Sequence, residues 1–589
     1  MHGMSEAERV HRAWDRIEAW MRDHAPTALA GLRPPAEASQ VAEIERELGL
    51  TLPPGLVASL ARHDGVASGG GQLAFPGGDR PMSAAEILKD ARMARDLWDD
   101  GSEDGEQILD GDYWHRQYLM VAAQANVPDG LALDCRPGAS FGEVGDHFKG
   151  EGTRFGHHGS YAELLTGLAD ALESGQPAGW PLKYVAVPFD GEMSWESAPK
   201  PPTEPVSLFE EAARARTPAP VEPVGGELAP VAEDGWAGEY RSFCLTFVHG
   251  VSTGELLHGY GALDGAFTGR TRTEAFEDRG RWTNCFLPIV RAGYAGEWAF
   301  GIEEGHQEGL RDEVLRRLSR GTRAVALRHR GATQLSYYED GRLVTGFDTS
   351  RDHLMPGEAD PHDIFPGLPG PRRVPAPPLG RPPLGRPLGA LIMGLQSAEN
   401  VRPDLRQVCD AVAAALGIDL APDALGGALP SARILPLLAP IPGSSGPVGY
   451  GMGDRVDGAD PGRLRTALIA QAALAAAETG LDRFPEVADA LTEARTDPAP
   501  APVADDSPLG IRLRTVVAEA RGTHRAQSTD HGRERFRHQD FQDWQDREAV
   551  GTALRALREL PALKAAPHVV GRRKDPYWRT RFVADLEGG

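Results

Sequence analysis

The chain has 589 residues, 41% of them apolar and 25% charged, and a net charge of −23 at neutral pH. A single core stops growing near about 250–300 residues, so this length calls for more than one folded unit. The negative charge disfavours general nucleic-acid binding and anionic membranes, and it suits a basic protein partner.

Four cysteines, Cys135, Cys244, Cys285 and Cys409, lie far apart without a C-x-x-C pair. That spacing argues against a structural zinc site and against a disulfide framework. No run of about 18 apolar residues could span a bilayer, and the first residues show no apolar signal-peptide core. The expectation is a cytoplasmic protein that needs no cofactor and no metal.

Val10, Ala13, Trp14, Ile17 and Met21 repeat with helical period. After Pro34-Pro35 a second helix is expected, capped by Ser39 and ended by Gly49. Pro53-Pro54 opens a third, which stops at Asp64-Gly65. Ser83 and Glu86 form a capping box for a fourth. The pattern then shortens. Segments 117–122, 131–135 and 142–148 read as antiparallel strands separated by turn residues. Ser160 and Glu163 open another helix with Leu164, Leu165, Leu168 and Leu172, and a hairpin turning at Asp190-Gly191 follows. Residues 199–232, rich in Pro, Ala and Glu, read as a linker.

Beyond the linker, strands are expected at 243–248, 283–290, 298–302, 322–327, 335–338 and 343–347, the last two joined at Asp340-Gly341. Between them lie a helix capped by Ser252 and Glu255 and one carrying Leu310, Val314 and Leu318. A Pro/Gly/Arg segment at 366–387 has no core-forming period. Helices are expected at 401–416, at 464–477 and from about Ile511 onward.

The ordered set of Trp14 to Trp20, Leu52-Pro53-Pro54, His63-Asp64-Gly65, Gly130 to Pro137 and Ser160-Tyr161-Ala162-Glu163-Leu164-Leu165 resembles the SUKH superfamily. That superfamily includes the Knr/Smi cell-wall assembly regulators of yeast and many bacterial immunity proteins. The resemblance implies helices packed on a sheet and a role in binding proteins rather than in catalysis. Trp236, Cys244-Leu245-Thr246-Phe247, Trp298 to Glu303, Leu318-Ser319 with Gly321-Thr322, and the Asp340-Gly341 turn resemble an uncharacterised actinobacterial domain family, which implies a boundary and no mechanism.

The expected fold class is therefore α+β: N-terminal SUKH-like helices with an antiparallel sheet, a second α+β domain, and a mostly helical C-terminal region. The expected limits are 4–198 for the SUKH-like domain, 199–232 for the linker and 233–430 for the second domain, with its insertion near 366–387. A low-complexity and helical connector at 431–509 and a locally basic helical region at 510–589 complete the chain.

The acidic run Asp96, Asp99, Asp100, Glu103, Asp104, Glu106, Asp110 and Asp112 is the candidate partner-binding surface, because dense carboxylates steer a basic partner. A solvated loop is its plain alternative. Glu303, Glu304 and His306 could pair as acid and base, but with no nucleophile nearby a turn with solvated side chains is expected. His63 and Asp64 are read likewise, the aspartate shaping its turn through its own backbone. Asp454, Asp457 and Asp460 sit three apart, which does not fit the alternate spacing of an EF-hand loop. His524, His531 and His538 share a helical face but stand about 10.5 Å apart along it, too far for one ion. Arg533, Arg535, Arg537 and Arg572-Arg573-Lys574, interleaved with aromatic residues, could touch nucleic acid or an acidic partner, or fold back on this acidic chain.

These readings give a non-enzymatic interaction protein whose partner is a protein, in its sharpest form a basic toxin or nuclease neutralised as by an immunity protein. The alternatives are a regulatory scaffold in cell-envelope or stress control, and an unrecognised enzyme in the middle domain.

Overall fold

The computed structural model describes residues 4–98, 113–198, 242–375 and 405–588, apart from short stretches within these ranges such as 125–128, 276–286, 443–446 and 527–537. The expected linker and most of the expected insertion lie outside the described residues. The chain divides into two compact units. The first joins Met1–Pro202 to Arg572–Gly589, and the second is Thr203–Gly571.

In the first unit α1 (Glu6–His24) starts at a capping box in which the Ser5 and Glu8 backbone N–H groups each donate to the other residue's side chain. Its apolar stripe, Val10 to Met21, is buried as the period demands. A single turn, α2 (Pro26–Ala30), follows, too short to leave a period in the sequence. α3 (Ala38–Leu48) starts before the expected cap. Glu37 is its N-cap and Ser39 lies inside the first turn, because Gln40 stands at the third helical position and its side chain accepts the Glu37 N–H at 2.8 Å. In α4 (Pro54–Arg62) Pro53 is the N-cap and Pro54 the first helical residue. The Ser83–Glu86 box opens α5 (Ala84–Trp98). α6 (Tyr161–Ser174) has only half a box. Ser160 Oγ accepts from the Glu163 N–H, but the Glu163 carboxylate takes the N–H of Gly159 instead.

Five antiparallel strands stand in chain order: β1 (Arg80–Pro81), β2 (Tyr118–Ala123), β3 (Gly130–Asp134), β4 (Val144–Phe148) and β5 (Gly152–His158). β5 has no apolar run, which is why sequence pattern passed over it. The helices cover one face, where Trp14, Ile17, Leu56, Leu133 and Leu165 share a core. Full burial of each large apolar side chain contributes roughly 1.5–3 kcal/mol. On the other face Trp114, Tyr118, Met120 and Ala132 form a second cluster. β6 (Tyr184–Phe189) and β7 (Glu192–Ser197) make a separate hairpin. Its turn residues Asp190 and Gly191 have φ of 56° and 79°, the paired left-handed geometry of a two-residue hairpin loop. The C-terminal helix Trp578–Glu587 belongs to this unit. The Arg579 guanidinium lies 5.0 Å from the Phe189 ring centroid and reaches Ser194 Oγ and Glu196.

The second unit is built on an eight-stranded antiparallel sheet. Its strands are β8 (Phe243–His249), β9 (Thr268–Arg270), β10 (Ile289–Ala295), β11 (Trp298–Glu304), β12 (Arg323–Arg330), β13 (Ala332–Glu339), β14 (Arg342–Asp348) and β17 (Leu429–Arg433), in the order β14-β13-β12-β8-β11-β10-β17-β9. β15 (His353–Leu354) and β16 (Val374–Pro375) form a small parallel pair outside it. The strand expected at 283–290 runs later. Residues 283–286 lie outside the described set, and β10 continues to Ala295 before turning at Gly296.

Helices lie on both faces of this sheet. Phe243, Leu245 and Phe247 point to the side packed by α9 (Leu405–Leu416), and Val248 to the side packed by α7 (Thr253–Tyr260) and α8 (Asp312–Leu318). Double coverage explains why β8 reads as an unbroken buried run rather than an alternating one. β17, at Leu429–Arg433, pairs with β10 and β9, so the sheet closes only after α9.

Helices α10 (Pro461–Thr479), α11 (Pro485–Thr496), α12 (Pro508–Ala526), α13 (His538–Glu559) and α14 (Ala562–Val569) complete the unit. Arg514 of α12, 1% exposed, ties them to the sheet. Its guanidinium donates to the carbonyls of Gly261 at 2.7 Å, Leu435 at 2.6 Å and Pro436 at 3.1 Å. A Cβ on Gly261, whose φ is 110°, would stand 2.5 Å from the Leu435 oxygen, so the residue ending α7 is held to glycine.

Candidate functional site

The His63-Asp64-Gly65 turn is the polar hub of the first unit. His63 lies at the end of α4, where its ring nitrogens meet the Arg33 carbonyl at 3.0 Å and the Glu18 carboxylate at 2.9 Å. Its ring stands edge-on to Trp14 with centroids 4.9 Å apart, and Trp14 Nε1 donates to Ser59 Oγ at 3.0 Å. Burial pushes the Glu18 carboxyl up, but hydrogen bonds from Arg62 and His63 outweigh it and hold the group below its usual range.

Asp64 does not shape its own turn. Its Oδ1 accepts the Ala84 N–H at 2.7 Å, capping α5 from twenty residues away. Sequence reading missed this because the partner is distant in the chain. Gly65 brings the two segments together, with φ of 68° and the Met82 carbonyl carbon 2.5 Å from where a Cβ would lie. Glu86 accepts from Arg80 and Arg33 as well as from Ser83. Burial raises its carboxyl, and the Arg80 and Ser83 donors bring it down to about 2. Asp134, fully buried, is gripped by the Arg136 backbone N–H at 2.8 Å and its guanidinium at 2.7 Å.

The candidate partner-binding residues Asp99, Asp100, Glu103, Asp104, Glu106, Asp110 and Asp112 lie outside the described residues. Asp96 alone of that run is described, exposed in the last turns of α5.

In the second unit the expectation of a solvated turn at Glu303–His306 is wrong for Glu303, which is 1% exposed. The residue is the last but one of β11, opposite Cys244 of β8. The chain then folds back as a 3-10 turn, Glu308–Leu310. The Glu308 and Gly309 N–H groups donate to the two Glu303 oxygens at 3.0 and 2.6 Å. Burial and the neighbouring Glu308 carboxylate push the Glu303 carboxyl up to about 7. Thr246 and Tyr260, both fully buried, close over the same turn. A Cβ on Gly309 would stand 2.2 Å from Thr246 Oγ1 and 2.3 Å from the Tyr260 hydroxyl oxygen. Burial drives the Tyr260 hydroxyl and the Cys244 thiol well above their ordinary values, so neither ionises near neutrality. Glu304 points the other way and is held by Arg272 at 3.1 Å. Two carboxylates adjacent in sequence are thus separated, as successive strand residues must be. Glu303 is a buried anchor for a turn, and Glu304 is turned away from it.

Asp460 caps α10, its Oδ1 accepting the Gly462 and Arg463 N–H groups. His531, Arg533, Arg535 and Arg537 lie outside the described residues, so the histidine face and that part of the basic cluster have no described geometry. Further on, Asp575 accepts the Tyr577 N–H and pairs with Arg581, so the tail supplies counter-charges of its own. Among the described residues no three His, Cys, Asp or Glu side chains gather as a metal site, and no helix is long and apolar enough to cross a membrane.

Helices packed on an antiparallel sheet make the first unit an α+β domain. Residues 35–172 match the SMI1 / KNR4 family (SUKH-1), and residues 233–368 match a family of unknown function (DUF6461). The first match begins beyond α1 and α2 and ends inside α6; the second ends before α9 and β17. No curated protein matches the chain.

Proposed function

We propose that this is a protein-interaction protein whose first unit binds a partner through its outer surface, with no catalytic step. The observation that carries this reading is the use made of the polar residues in the SUKH-like hub. His63, Asp64, Glu86 and Asp134 all commit their hydrogen bonds to the fold itself. A domain whose buried polar groups are consumed in this way recognises others by the shape and charge of its exterior. The SUKH-1 match supports the same reading. The partner is a basic protein, in its sharpest form a toxin of nuclease type held as an immunity protein holds one. The net charge of −23 supports this, and the run Asp99 to Asp112 is the surface we assign to it.

The test is capture on the tagged full chain at low and raised salt, followed by titration of each captured protein in purified form. A cationic partner whose Kd rises with salt, and rises roughly tenfold or more when Asp99, Asp100, Glu103, Asp104 and Glu106 become Asn and Gln, supports the reading. Failure of every captured protein to bind in purified form at either salt refutes it.

A further inference from the structure

The second unit holds a cavity of about 280 Å³ between the 438–442 segment and helices α12 and α13. Leu438, Ile441, Leu513 and Val516 give it an apolar wall. Two opposite charges from different helices also line it, Arg521 of α12 and Glu548 of α13. Their environments differ from that of Arg555, which lines the same space but is already bonded to the Ala439 carbonyl and to Glu559. The ion pair described for Arg521 is a long one, 3.9 Å to Glu308. Burial raises the Glu548 carboxyl, and the charges of Arg521 and Arg311 pull it back down.

A largely apolar concavity with a few convergent polar groups is the usual form of a small-molecule site. The two charges set the ligand's chemistry. Glu548 suits an ammonium, Arg521 suits a carboxylate, and the Leu and Val wall suits a branched aliphatic body. We propose that this cavity binds a small aliphatic zwitterion of the α-amino-acid class, its ammonium on Glu548 and its carboxylate on Arg521. The site is independent of the partner surface assigned to the first unit.

Titration calorimetry on the full chain tests it with three probes: L-leucine, L-leucinamide, which lacks the carboxylate, and 4-methylpentanoate, which lacks the ammonium. Saturable binding of L-leucine, roughly tenfold or more tighter than either half-probe, is expected. Glu548→Gln weakens L-leucine and L-leucinamide and leaves 4-methylpentanoate unchanged. Arg521→Gln weakens L-leucine and 4-methylpentanoate and leaves L-leucinamide unchanged. Val517→Trp, which fills the cavity, abolishes all three, and circular dichroism checks that it folds. Absence of saturable L-leucine binding to the wild-type chain overturns the proposal, as does equal weakening of all three probes by both charge variants.

Discussion

Replacing Glu303 by glutamine converts the buried anchor of the Glu308–Leu310 turn into a pH experiment. The Glu303 carboxyl is raised from 4.5 to about 7 by burial and by the adjacent Glu308 charge. Between those values the folded state binds more protons than the unfolded state, so the second unit loses stability as pH rises through that window. The low-pH stability is complete below 4.5, and the cost reaches its full size above 7, at about 3 kcal/mol. The substituted amide cannot ionise, so that slope disappears. It presents only one oxygen to two N–H donors, which leaves the Glu308 or the Gly309 amide facing an NH2 group at a cost of about 1–2 kcal/mol. The variant is therefore less stable than wild type at low pH, and the two curves converge or cross near neutrality. Native-state hydrogen exchange over β8 and β11, corrected for intrinsic rates, measures this unit apart from the first. Parallel stability curves for the two proteins from about pH 4.5 to 8 would refute the account of Glu303 as a carboxyl ionising at a cost to the fold.

Arg514→Leu leaves the Gly261, Leu435 and Pro436 carbonyls without their buried donor. The expected loss is about 3–5 kcal/mol, read as a lower urea midpoint for exchange in α12 and β17. Gly65→Ala forces a Cβ against the Met82 backbone at a positive φ, and should lower the melting temperature of the first unit by the equivalent of about 1–3 kcal/mol. Asp64→Ala removes the bond to the Ala84 N–H that supplements the Ser83–Glu86 box of α5 and should cost about 1 kcal/mol, seen as faster exchange in its first turn, with Asp64→Asn recovering most of the loss.

Local readings succeeded where a residue's partner is a sequence neighbour. The capping boxes at Ser83 and Ser252 and the tight turns at Asp190-Gly191 and Asp340-Gly341 fall in that class. They failed where a nearer competitor stood. Gln40 moves the start of α3 to Glu37, and Gly159 takes the carboxylate that would have completed the box at Ser160. β5 went unseen because its residues, Arg154 and His157 among them, carry no apolar alternation. The candidate chemistry at Glu303 and Glu304 was visible as residue types, but their burial was not.

The sequence alone determined the α+β class, the apolar stripes of α1 and α6, and the two stretches that mark the matched families, because helix period, strand length and turn chemistry are properties of short windows. Tertiary structure decided that Asp64 caps α5, that Glu303 is sealed beneath a turn, that β17 closes a sheet begun at β8, and that Arg521 and Glu548 face one cavity. Each of these brings together groups distant along the chain or set by the packing of a whole face. Charge, burial and hydrogen-bond supply at such places are fixed by what the fold delivers from elsewhere, and no local pattern encodes that.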